Sequence, residues 1–76
     1  MATTITIPQL EMAMTEGILV EWLMEDGAQV NEGDPIYVLE TGKAAQDIAS
    51  PASGRLKRIG EIGTEYPVGT VIGEII

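Results

Sequence analysis

Apolar positions in this chain come in short runs broken by glycine and proline, a spacing typical of strands. "TTITI" alternates apolar with polar, while "ILVEW" and "PIYVLE" are more continuously apolar. The pattern predicts strands near 3–7, 17–24, 36–41, 44–49, 54–60 and 70–75, with very short ones around 28–30 and 64–66. No window of helical length holds a 3.6-residue apolar period; the nearest, "VEWLMEDG", reads as a strand running into a turn. Gly27 after Asp26, and Gly33 in "NEGDP", supply positions for positive φ. Pro35 lacks an N–H donor and belongs at the start of a strand.

The pattern also repeats. "GILVEWLMEDGAQVNEGDPI" (17–36) aligns with "GRLKRIGEIGTEYPVGTVI" (54–72) across one gap. Gly17 and Leu19 match Gly54 and Leu56; past the gap, Gly27, Gly33 and Ile36 match Gly63, Gly69 and Ile72. Each copy reads as strand, glycine turn, short apolar link, glycine turn, strand. Two copies are too few for a solenoid. They fit a pair of sheets related by pseudo-two-fold symmetry, closed into a flattened barrel or sandwich. The joining region, 37–53, has its midpoint near Gly42–Lys43, so a connecting hairpin is expected to turn there.

Composition narrows the chemistry. At 76 residues with 45% apolar content, the chain can bury one modest core. Twelve acidic and four basic residues give a net charge of −8, which argues against nucleic acid and against an anionic membrane surface. No apolar run approaches a membrane span, and "MATTITIPQL" lacks the features of a signal peptide. With neither cysteine nor histidine there is no Ser-His or Cys-His pair, no disulfide and no ordinary zinc site. The composition argues against self-contained catalysis and fits a reducing, intracellular setting.

Lys43 stands out because no other lysine or arginine precedes Arg55. An unperturbed ε-amine has a pKa of about 10.4, and neighbouring carboxylates at Glu40 and Asp47 favour its charged form. Schiff-base chemistry within the chain is therefore disfavoured. A better use is attachment, in which an external enzyme removes the proton and delivers an activated acyl group. Gly42 beside it permits a tight turn and unobstructed approach. The alternative reading is an ordinary surface lysine.

With these residues in view, the sequence resembles the lipoyl domain of dihydrolipoamide acyltransferase components of 2-oxo acid dehydrogenase complexes. The likeness is carried by Met14-Thr15-Glu16-Gly17, the strand bearing Trp22, the glycine turn, Glu40-Thr41-x-Lys43-Ala44, and the proline and "SG" that follow. It covers nearly the whole chain. The resemblance implies an all-β flattened barrel of two four-stranded sheets with pseudo-two-fold symmetry, and a single domain over 1–76 that is a piece of a longer multidomain chain. It implies lipoic acid covalently attached to Lys43 at a hairpin tip, and a swinging-arm acyl carrier with no catalytic or metal-binding residue of its own. Glu40, Thr41, Gly42, Ala44, Met12, Met14 and Glu16 become recognition candidates. The implied partners are a lipoate–protein ligase or lipoyl transferase, a thiamin-dependent 2-oxo acid decarboxylase, the acyltransferase core and dihydrolipoamide dehydrogenase. The implied location is a bacterial cytoplasm, or a mitochondrial matrix if a leader has been removed.

Two positions depart from the family pattern. Gly42 replaces an aspartate, removing a charge from the tip and putting decarboxylase recognition in question. Gln46 replaces an apolar or β-branched residue, which calls for altered packing or an exposed amide. Met12 and Met14 suit either a partner-facing surface or core filling. Trp22 reads as packing, and Arg55, Lys57 and Arg58 as a solvated strand face or a minor docking contact. A biotinyl carrier would have methionine on both sides of the lysine, where this chain has Gly42 and Ala44. An unmodified barrel serving as an interaction module is the rival from another class.

Overall fold

The computed structural model describes residues 2–10, 12–42 and 44–76. Eight strands follow in order: β1 (Thr3–Thr6), β2 (Glu16–Trp22), β3 (Gln29–Val30), β4 (Pro35–Glu40), β5 (Ala45–Ala49), β6 (Gly54–Arg58), β7 (Glu65–Pro67) and β8 (Val71–Ile75). They form two antiparallel four-stranded sheets, ordered β1-β8-β6-β3 and β5-β4-β2-β7. All eight expected strands are present. Two end two residues earlier than the pattern suggested, β2 at Trp22 and β6 at Arg58. At the second of these, the N–H groups of Ile59 and Gly60 both donate to the Ile72 carbonyl, which breaks the ladder.

Advancing each strand by four converts one sheet order into the other, so the repeat is a structural two-fold. The backbone reproduces it bond by bond. Gly27 N–H donates to Leu56 O at 2.7 Å, and its counterpart Gly63 N–H donates to Leu19 O at 2.7 Å. Gly33 N–H reaches Ser50 O at 2.9 Å, while Gly69 N–H reaches Ile7 O at 2.9 Å. Gly27 and Gly63 have φ of 85° and 86°, and Gly33 and Gly69 both 92°, the left-handed region where a Cβ is disfavoured.

The core lies between the sheets. Leu19, Val30, Ile36, Tyr37, Leu39, Leu56, Ile72 and Ile75 are buried on the inward faces. Trp22 packs with its ring centroid 5.6 Å from that of Tyr37, and its indole N–H donates to Gly60 O at 3.1 Å. The Tyr37 hydroxyl donates to Thr6 O at 3.4 Å, tying the two sheets together. Arg55 and Lys57 are exposed, while Arg58 is half-buried with its guanidinium 5.5 Å from the Trp22 ring. Gln46 is exposed, so its amide meets solvent.

Candidate functional site

β4 and β5 are joined by residues 41–44, closed by a hydrogen bond from Thr41 N–H to Ala44 O at 2.9 Å. The Thr41 hydroxyl donates to the same carbonyl at 3.3 Å. Gly42 and Ala44 are exposed, and Thr41 is half-buried. Lys43, the expected attachment residue, lies outside the described residues, although the sequence puts it within this connection.

Beside the connection is an open hollow of about 560 Å³. Thr41 and Gly42 edge it on one side, and Ala13, Met14, Thr15 and Glu16 on another. Its third side is a row across the sheet, in which register sets Glu40 and Glu65 on either side of Ile18. Three carboxylates, those of Glu16, Glu40 and Glu65, line a surface with no basic residue among its described lining. A cation or basic partner surface is favoured over an anion here. No group of acidic residues among the described ones has the arrangement to hold a metal ion.

Five expected recognition residues therefore share one hollow: Met14, Glu16, Glu40, Thr41 and Gly42. Met12 and Ala44 are not part of its lining. The methionine pair divides. Met14 is buried, its sulfur accepts the Leu10 N–H at 3.4 Å, and its Cε would lie 3.2 Å from a Cβ placed on Gly17. Met12 is 97% exposed, an apolar side chain held almost wholly in water. Core filling thus holds for Met14, while Met12 is left at the surface. Sequence reasoning missed Ala13, Thr15, Gly17, Ile18 and Glu65. Ala13, Thr15 and Gly17 flank residues already singled out, whereas Glu65 arrives on β7 and carried no local signal.

Comparison with known proteins agrees with this architecture. The Biotin_lipoyl family model, described as "Biotin-requiring enzyme", matches residues 3–75. The chain is 32% identical over 74 residues to the dihydrolipoyllysine-residue acetyltransferase component of the acetoin cleaving system of Pseudomonas putida, covering 96% of this chain and 20% of that protein. It is 37% identical over 71 residues to the lipoamide acyltransferase component of the branched-chain alpha-keto acid dehydrogenase complex of Bacillus subtilis, covering 92% and 17%. The chain thus spans about a fifth of the length of these curated relatives. Among solved structures, a single-chain, multi-domain long-chain acyl-CoA carboxylase shares the fold, with a TM-score of 0.73 and 22% identity, over 97% of this chain and 7% of that one. The repeat, the interleaved sheets and a family match along almost the whole length agree: the chain belongs to the biotinyl/lipoyl-attachment domain family.

Proposed function

We propose that this domain is a lipoyl carrier in which Lys43 holds lipoic acid in amide linkage and presents it to successive enzymes of a 2-oxo acid dehydrogenase complex. The observation that carries the reading is the Glu40-Thr41-Gly42-Lys43-Ala44 connection, whose described flanks Gly42 and Ala44 are exposed. Lys57, the other lysine of the chain, sits within β6 with strands on both sides, a poor place to present an arm. The exposed flanks fit a covalently carried group that must leave the surface and reach other proteins. When attached, the dithiolane supplies the reductive acylation and acyl-transfer chemistry. The chain's own residues position and identify. The Thr41–Ala44 hydrogen bond holds the connection closed, while Glu16, Glu40 and Glu65 offer a partner an acidic hollow beside it. Names of relatives that include dihydrolipoyllysine-residue and lipoamide acyltransferases support lipoate over biotin. In this reading a lipoate–protein ligase loads the domain, and the decarboxylase, acyltransferase core and dihydrolipoamide dehydrogenase use it, in a bacterial cytoplasm or mitochondrial matrix.

The test is coexpression with a lipoate–protein ligase and lipoate, followed by intact mass and peptide mapping. A lipoyl increment is expected on the Lys43 peptide and none on the Lys57 peptide, with no increment in Lys43→Ala. A biotin increment would move the chain to the biotinyl class. A folded domain that gains no mass would leave an unmodified interaction module.

A further inference from the structure

The two sheets leave four edge strands, β1 and β3 on one, β5 and β7 on the other. An edge strand offers a row of open N–H and C=O groups to another chain, and folds usually blunt it. Three of the four are blunted. β3 has two residues, β7 has three and ends in Pro67, and β1 carries a register shift at Ile5–Thr6 with Pro8 just beyond. β5 has five residues, holds neither proline nor glycine, and pairs with β4 without a shift from Ala45 to Ile48. Before it, Thr41 N–H donates to Ala44 O at 2.9 Å; after it, Ser50 N–H donates to Asp34 O at 2.8 Å. Bonded and open positions alternate along an antiparallel ladder, so the backbones of Ala45, Asp47 and Ala49 face the open side. All three residues are exposed, and Asp47 is the one charged residue of the strand.

We infer that the β5 edge is an interaction surface complementary to a second copy of this chain, and that the Asp47 carboxylate holds that pairing off. Two antiparallel β5 strands use all three open positions only about a two-fold axis through Asp47. Ala45 then lies opposite Ala49 of the second copy, methyl beside methyl, and Asp47 lies opposite itself. Like charges directly opposite destabilise a strand pair. The net charge of −8 on each copy adds repulsion at longer range. The edge is thus geometrically ready and electrostatically closed. β5 leaves the 41–44 connection directly, so a copy docked on it would lie alongside exposed Ala44 and Ala45; Asp47 keeps that approach open. The inference holds whatever Lys43 carries.

Charge at one position tests it. Wild type, Asp47→Asn and Asp47→Lys are compared by sedimentation equilibrium at low salt, together with an equal mixture of wild type and Asp47→Lys. Asp47→Asn keeps the size and removes the charge, so it should self-associate about fivefold or more tightly than wild type. Asp47→Lys alone should associate as weakly as wild type, because lysine then faces lysine. The mixture should associate more tightly than either component, because lysine faces aspartate. Glu25→Gln, which makes the same change in net charge as Asp47→Asn but in the turn after β2, should match wild type. Amide spectra of 15N-labelled Asp47→Asn against concentration should shift at residues 45, 47 and 49. The inference is overturned if Asp47→Asn associates no more tightly than wild type, or if Glu25→Gln associates equally well. A mixture no tighter than its components, or shifts that fall away from β5, would overturn it too.

Discussion

The pseudo-two-fold superposes two connections of unequal length. Residues 7–15 join β1 to β2, whereas residues 50–53 alone join β5 to β6. The short connection is drawn tight. Ser50 is buried, its hydroxyl donates to Ala52 O at 2.6 Å, and Ser53 Oγ accepts the Glu32 N–H at 2.9 Å. Behind it, Gly54 packs beneath the Ile76 carbonyl. The long connection sends Met14 into the core and Met12 into water, and it walls the hollow beside residues 41–42. The candidate site thus lies where one half of the repeat departs from the other.

This contrast can be broken most severely at its matched glycines. A Cβ on Gly54 would lie 2.6 Å from the Ile76 carbonyl oxygen at a φ of 152°, so both backbone and contact resist it. On Gly17 the 2.6 Å neighbour is Leu39 Cδ1, the end of a flexible side chain. Gly54→Ala is expected to cost more than about 3 kcal/mol and Gly17→Ala about 1–2 kcal/mol in urea denaturation. Equal costs would show that the two positions are mechanically equivalent.

The long connection gives the next largest effect. Met14→Ala removes a buried side chain and should destabilise by about 2–3 kcal/mol, while Met12→Ala should stay within about 0.5 kcal/mol. A stability loss at Met12 would contradict its exposure.

A gentler probe uses Tyr37, whose counterpart by the two-fold is Gly73. Burial pushes the Tyr37 hydroxyl up to about 12 from an ordinary value of 10.0. The folded state holds the proton more tightly than the unfolded state, so this stabilisation is complete below pH 10 and is lost as pH rises towards 12. The expected loss is about 2 kcal/mol, read from denaturation at stepped pH, and absent in Tyr37→Phe. A slope as steep in Tyr37→Phe would assign it elsewhere.

Much of the fold was legible from local rules. Alternation and glycine turns located all eight strands, and the matched glycines at 27/63 and 33/69 disclosed the two-fold. Pro35 does open β4. Less legible was which strands become neighbours. β7 reaches β2 through pairings such as Ile18 with Glu65, fixed by closure of the whole barrel and carrying no signature in either segment. For that reason Glu65 escaped notice while Glu16 and Glu40, beside recognisable elements, did not. The parting of Met12 from Met14 was hidden for a related reason, since an irregular loop has no period from which to read which side chain turns inward.

The strand order also bears on how the chain folds. Among the described residues, only β4 with β5 pairs consecutive strands; every other pairing spans at least one intervening strand. The hairpin of residues 35–49 therefore needs closure of only a four-residue connection, an event of microseconds, whereas the remaining ladders wait on long loops and set a slower overall rate. The segment proposed to carry the arm is thus the piece that local contacts can assemble first, and it provides the edge on which the distant strands are gathered.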